Sequence, residues 1–215
     1  MATPRKKIKI RDGERTQREL LDAIGEILME CGYTGLRVNK IARHVGKDKS
    51  AIRHHFGRLI DLEKAYIKEK DYWPPFFERF QLGDHATKDE IKTMFTELMQ
   101  ENFHSFLTNH EMQKIILWQI SEENPLMRSI SEAREERGAQ LLSKAMPYFI
   151  PSGTSFKAVI ALLLGGIYYL VLHAETNKST VCGVDINREM DRNTIVKTIG
   201  EIIEWAFLAT ENKNN

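Results

Sequence analysis

The sequence predicts an all-α fold, and three observations carry that reading. No stretch alternates apolar and polar residues long enough to demand a strand, whereas apolar residues spaced three and four apart recur to the end of the chain. The periodic runs are bordered by helix caps, glycines and prolines. Residues 38–56, VNKIARHVGKDKSAIRHHF, hold two short helical periods separated by a glycine, the pattern of a helix-turn-helix. At 215 residues with 42% apolar content, the chain can fill one or two modest cores.

The apolar series Leu20, Ile24, Ile27 and Leu28 marks the first helix, which Cys31-Gly32-Tyr33 closes. Val38, Ile41, Ala42 and Val45 lie on one face of the second, which halts at Gly46. A residue without Cβ enters the left-handed conformation cheaply, so Gly46 is the C-terminal cap where the chain reverses. Asp48 opens the third helix, its carboxylate placed to accept the amide of Ser50 or Ala51 and to complement the positive helix end. Ile52 and Phe56, four apart, supply its inward face, and small Ala42 permits the steep crossing of the two helices. Ser50, His54 and Gly57 then point outward, with Arg53 alongside and Lys49 at the N-terminal end. An arginine fork can chelate guanine, serine and histidine can bond base edges or phosphate, and a glycine admits the duplex backbone.

Residues 16–56 resemble the TetR family of bacterial transcriptional regulators. The likeness rests on the first-helix series, Ile41-Ala42, Gly46 and the terminal His55-Phe56. It implies a DNA-binding head, residues 1–58, on a helical effector-binding and dimerisation body, residues 59–215. It also implies contact with double-stranded DNA, through Arg37, Asn39 and Lys40 at the start of the second helix and Lys49, Ser50, Arg53, His54, His55 and Arg58 around the third. Three positions depart from the family pattern. Arg53 stands where a phosphate-binding tyrosine is usual, Leu59 where a lysine is common, and Arg37 where a hydroxyl residue caps the second helix. A shifted contact set is expected, with Arg53 and Arg58 neutralising phosphates.

Charge divides the chain the same way. Residues 1–60 hold fourteen Lys and Arg against seven Asp and Glu, net +7, and the rest holds seventeen against twenty-three, net −6, within a total of +1. A cationic head suits a phosphate backbone. The opening run Arg5-Lys6-Lys7-Ile8-Lys9-Ile10-Arg11 reads as a solvated arm, of the kind that in the family reaches phosphate or minor groove.

Beyond the head, a helix begins near Leu59 with Leu62, Ala65 and Tyr66 inward and meets Trp73-Pro74-Pro75, where two prolines force a break. The alternatives are a hinge between head and body or a plain helix end. A restarted segment carries Phe76, Phe77 and Phe80. Further helices are expected near 87–108, 111–121, 125–148, 154–175 and 189–211. Asp84 and Thr87 offer caps, Asn124-Pro125 a first turn, and Pro151-Ser152-Gly153-Thr154 a separator. Val159, Leu162, Gly166, Tyr169 and Leu170 form one apolar stripe and Ile195, Ile199, Ile202 and Ala206 another. The resemblance implies that these last two helices meet their copies across a two-fold axis as a homodimer, and Gly165-Gly166 permits close approach.

The middle helices are rich in Phe95, Met99, Phe103, Phe106, Met112, Ile116, Trp118, Met127 and Ile130, most of which read as core. The resemblance implies that part of such a set lines a cavity for a small apolar or amphipathic effector. The candidates are Trp73, Phe77, Met99 and Phe103, with Trp118, Glu122, Tyr168 and His173 as polar handles.

A basic N-terminus without an apolar run behind it shows no secretory signal, so a cytoplasmic protein is expected. The run Ala158–Leu172 is short of the ~20 residues of a spanning helix, which favours a buried helix and no membrane partner. Cys31 and Cys182 show no metal spacing and read as reduced thiols. No cofactor or metal is expected, and no catalytic motif stands out. Glu101-Asn102-Phe103-His104 matches one half of a carboxylate di-metal site, but the second half is missing, and both ligands fall on the solvent side of their helix. The expected function is a homodimeric repressor, released from a palindromic operator by the effector. The alternative is a DNA-binding protein controlled by a protein partner or by DNA alone.

Overall fold

A computed structural model describes residues 5–211, with side chains from Asp12 onward. Ten α-helices follow in order: α1 Arg5–Cys31, α2 Val38–His44, α3 Ser50–His55, α4 Leu59–Lys70, α5 Trp73–Arg79, α6 Lys88–Thr108, α7 His110–Ser121, α8 Pro125–Phe149, α9 Phe156–Asn177 and α10 Glu189–Leu208. Among the described residues the only β pairing is an isolated bridge between Val181 and Val184. The basic run 5–11 is helical, being the opening turns of α1, where a solvated arm was expected; its side chains lie outside the described residues.

The helices form two compact units. One runs through Asp71 and takes in His110–Ser129; the other is Tyr72–Asn109 with Ile130 onward. A cut at 58/59 is therefore not where the structure divides, because α4 and α7 both pack on α1. The first unit is organised by the fully buried α1 stripe Leu20, Ile24, Ile27 and Leu28, and the helices that pack on α1 bury Ile41, Ile52, Leu62 and Met112. In the second, α6 packs on α9 and α10. Four rings tie its helices together: Phe149 stacks on Phe156 at 4.4 Å, and Phe95 and Phe207 meet Phe156 edge-on at 4.9 and 5.4 Å.

Helix borders follow local chemistry. Thr87 and Glu90 form a reciprocal capping box at α6. The Asn124 Oδ1 accepts from the Leu126 amide at 2.9 Å at the start of α8, and Pro125 occupies the first turn, where a missing N–H costs nothing. Pro74 and Pro75 obey the same rule: the chain breaks at Asp71-Tyr72, and the prolines begin α5 rather than ending α4. The stripe Leu162, Gly166 and Tyr169 on α9 faces outward in the single chain, while Phe156, Ile160, Leu163, Ile167 and Val171 face inward. The apolar run is thus not a buried core helix of one chain.

Within the first unit α1 approaches α4 and α7 at Gly25. A Cβ there would lie 3.1 Å from the Tyr66 hydroxyl and 3.2 Å from a Glu111 carboxylate oxygen, the two groups joined by a 2.7 Å hydrogen bond from the tyrosine. Gly25→Leu should therefore lower stability by about 1–3 kcal/mol, read as a shifted urea midpoint.

Glu63 on α4 is only 9% exposed, and its carboxyl is pushed up to about 7, first by burial and then by the Glu122 carboxylate. Because the folded value lies above the ordinary 4.5, the neutral form favours folding. That stability is complete below the unfolded value and is lost as pH rises through the folded one. The loss is at most about 3 kcal/mol between about pH 5 and about pH 8. Glu63→Gln should flatten this fall in melting temperature with pH, and an unchanged profile would show that another group causes it.

Candidate functional site

The turn between α2 and α3 is built as its residue types require. Gly46 takes φ +64°, its amide donates to the Arg43 carbonyl, and the Lys47 amide reaches back to Ala42 at 2.9 Å. Asp48 Oδ1 accepts the Ser50 amide at 2.8 Å, and this bond holds the carboxyl below its ordinary value. Ile52 is buried beneath α3, Phe56 is half-buried, and Lys49, Ser50, Arg53, His54 and Gly57 are exposed. The glycine closes the helix at φ +87°. A short helix thus presents two cations, a hydroxyl and an imidazole on one open face, over a backbone bare enough for close approach.

Other expected contacts divide. Arg37 and Asn39 are exposed at the start of α2, where Arg37 stands in the cap position without a side-chain cap bond. They line a shallow groove with Lys40, Arg43 and His44. Lys40 turns back to donate to the Cys31 thiol sulfur at 2.8 Å, and His44 is tied to Glu26 at 2.5 Å. Arg43 was missed in the sequence although it follows Asn39 by one turn, on the same exposed side. Arg58 closes onto Asp61 at 3.0 and 3.2 Å, an ion pair that a phosphate must replace.

His55 does not join the open face. It is half-buried, with Cε1 3.9 Å from where a Gly13 Cβ would stand on α1. Burial first, then the charges of His54 and Lys47, holds its imidazole below the ordinary value, so it supplies no cation near neutral pH.

The expected effector residues are divided between the two units. Trp118 and Glu122 belong to the first unit, where the indole stacks on Tyr33 at 5.9 Å and donates to Glu122 at 3.1 Å. His173 in the second unit lies with Tyr169 at 5.6 Å and accepts from Asn177 through Nδ1; its Nε2 is buried without a partner. Met99 and Phe103 are buried on α6. Trp73, Phe77 and Tyr168 do converge: Trp73 stacks on Phe77 at 5.4 Å and its indole N–H donates to the Tyr168 hydroxyl at 3.0 Å.

Around that bond lies a polar cluster that the sequence reading missed. The Tyr72 hydroxyl is hydrogen-bonded to that of Tyr168 and accepts from Asn102 Nδ2 at 3.1 Å. Asn102 is fully buried on α6, and its Oδ1 has no hydrogen-bond partner. Burial pushes both tyrosine hydroxyls up, and the Arg134 guanidinium on α8 acts against that rise in each. An unmatched buried carbonyl oxygen costs about 1–3 kcal/mol. The sequence signal was present: Asn102 sits in the apolar stripe Ile91, Phe95, Leu98 and Phe106, where an amide has no packing reason to be.

No family model matches the sequence, and no curated protein does. Solved structures match the fold. A transcriptional regulator FadR from Bacillus subtilis, in complex with stearoyl-CoA, aligns over 86% of this chain and 96% of its own at 20% identity and TM-score 0.58. The fatty acid degradation regulator FadR from Bacillus halodurans aligns over 87% and 94% at 17% identity and TM-score 0.58. NalD from Pseudomonas aeruginosa, the secondary repressor of the MexAB-OprM multidrug efflux pump, aligns over 89% and 96% at 18% identity and TM-score 0.59. These alignments span most of this chain and nearly all of each regulator, so the chain shares the fold of these transcriptional regulators.

Proposed function

We propose that the chain is a sequence-specific DNA-binding transcriptional regulator, a cytoplasmic homodimeric repressor released from a palindromic operator by a small amphipathic effector. The observation that carries the reading is the open face of α3, with Lys49, Ser50, Arg53 and His54 exposed over a buried Ile52. Arg37 and Asn39 at the start of α2 would hold backbone phosphates. The fold shared with FadR and NalD supports the same reading, and the stearoyl-CoA bound to one FadR supports an effector with an acyl part.

Dimerisation is proposed through α9 and α10. In the single chain Leu162 is 77% and Trp205 60% exposed, with Tyr169 and Leu208 also uncovered. A Cβ on Gly165 or Gly166 would meet nothing within 4 Å, so those glycines keep a surface flat for something outside the chain. By length and composition α9 could also cross a membrane. A second copy is the better cover, because a two-fold dimer gives the two heads that a palindrome needs.

Arg53→Ala should weaken operator binding by about 1–3 kcal/mol and relax preference at one position of each half-site if the guanidinium reads a base. An even loss across sequences would assign it to phosphate, and no change in a quantitative shift assay would remove it from the interface. Leu162→Arg alters a side chain that the single chain leaves exposed, so folding should persist while the dimer is lost. Light scattering should then report a monomer with weakened operator affinity; a wild-type monomer at micromolar concentration would overturn the arrangement.

A further inference from the structure

The amine of Lys40 is committed to a sulfur atom. Cys31 is the last residue of α1 and Lys40 lies in the first turn of α2, and the Lys40 Nζ donates to the Cys31 Sγ at 2.8 Å. That separation is within the range of N–H···O bonds, and sulfur is larger than oxygen, so the two atoms are in close contact. Among the described residues the sulfur is the one hydrogen-bond or ion-pair partner of the Lys40 side chain. The short helical turn Tyr33–Gly35 between the two helices keeps the pair together. A Cβ on Gly35 would stand 2.8 Å from the Cys31 Cβ and 3.5 Å from the Lys40 Nζ, so this glycine is what lets the turn close over both groups.

An amine held against a thiol is placed for one oxidative reaction. Cys31 is exposed, so a small oxidant reaches it from solvent. The thiolate is the reactive form, and the Lys40 ammonium is its counter-ion. The sulfur attacks one oxygen of hydrogen peroxide, the O–O bond breaks, and the departing hydroxide takes a proton from the ammonium and leaves as water. Cys31 is then a sulfenic acid and Lys40 a neutral amine. The nitrogen next attacks the sulfur; an N–S bond forms, the S–O bond breaks, and the hydroxide takes the surplus amine proton as a second water. In sum, thiol, amine and one peroxide give a sulfenamide and two waters, the sulfur oxidised by two electrons and the peroxide reduced by two. Capture by a nitrogen already in contact competes with further oxidation to the sulfinic acid. Two equivalents of a thiol reverse the link, returning thiol and amine and leaving the reductant as a disulfide.

We propose that Cys31 and Lys40 form this sulfenamide under peroxide, a reversible cross-link that withdraws Lys40 from the groove it lines with Arg37, Asn39, Arg43 and His44. The hydrogen bond of the reduced state lets the lysine swing out to a phosphate, whereas the cross-link holds its nitrogen on α1 and removes its charge. One phosphate contact per head is then lost, whatever the base sequence. The cross-link stands on the Cys31–Lys40 geometry alone; its effect on DNA rests on the DNA-binding reading proposed above.

The test uses the full-length chain carrying Cys182→Ser, so that no disulfide within one chain can mimic the product. After treatment with hydrogen peroxide and removal of the excess with catalase, the intact mass should fall by two hydrogens, and peptide mapping should find the Cys31 and Lys40 peptides joined. Dithiothreitol should separate them. Cys31→Ser should abolish the link, and Lys40→Arg should let Cys31 run on to the sulfinic acid. A sulfinic acid or an unmodified Cys31 in the Cys182→Ser protein would overturn the proposal, and that measurement decides by itself if circular dichroism shows another variant unfolded. Duplex DNA binding is read on the same samples. Oxidation should weaken it evenly across sequences and reduce the slope of log affinity against log salt by about 1 for each head. Dithiothreitol should restore it, and Cys31→Ser should bind as the reduced protein does and ignore peroxide. A cross-link that leaves DNA affinity unchanged would overturn the switch. A reduced protein that binds no DNA yet forms the link would overturn the repressor reading and support the cross-link, whereas DNA binding without any link would do the reverse.

Discussion

The head depends on one buried stripe. Leu20, Ile24, Ile27 and Leu28 of α1 are fully buried, and α2, α3, α4 and α7 all pack on that helix rather than forming an independent core. Six- and seven-residue helices such as α3 and α2 are too short to persist on their own, so their geometry is inherited from this support. The open face of α3 is therefore as well placed as Ile52 beneath it is well packed. The support also sets a steric limit: a Cβ at Gly25 would stand 3.1 and 3.2 Å from the Tyr66 hydroxyl and a Glu111 carboxylate oxygen, so a side chain there must push both aside.

Much of this was legible in the sequence because it rests on local chemistry. Gly46, Asp48, Thr87 and Asn124 act within four residues of themselves, and each took the conformation its type favours. The division of the chain was not legible, since whether α4 and α7 pack with α1 depends on contacts between positions tens of residues apart, as between Tyr66 and Glu111. Trp73-Pro74-Pro75 shows a subtler limit. Proline reports a helix border, but the same residues suit a first turn as well as a stop, and only the break at Asp71-Tyr72 decides between them. Within the candidate sites, Trp118 and Tyr168 looked alike as polar aromatics in apolar helices. Partners distant in sequence, Tyr33 for one and Trp73 for the other, separate them. His55 is half-buried beside Gly13, a placement that the register of a six-residue helix leaves undetermined until α1 is in place.

The body contains a different kind of constraint. Ring contacts among Phe95, Phe149, Phe156 and Phe207 can bind α6, α8, α9 and α10 without any polar group. An amide, two phenols and a guanidinium in the same unit are therefore not needed for cohesion. Buried polar groups are costly unless fully satisfied, and one with an unmatched oxygen is more costly than the leucine that could replace it.

The exposed stripe of α9 and the charge division answer one question from two directions. An apolar face with Leu162 and Tyr169 outward is a liability in a lone chain and an asset only when covered. In the dimer proposed above, a second copy would supply that cover and also double the cationic segment. Each chain carries +7 over residues 1–60 and −6 over the rest, so pairing would leave such a dimer nearly neutral with two strongly basic segments. Under the proposed DNA-binding reading, phosphate attraction acts on the basic segment without regard to sequence, and base contacts from α3 would have only to choose among registers.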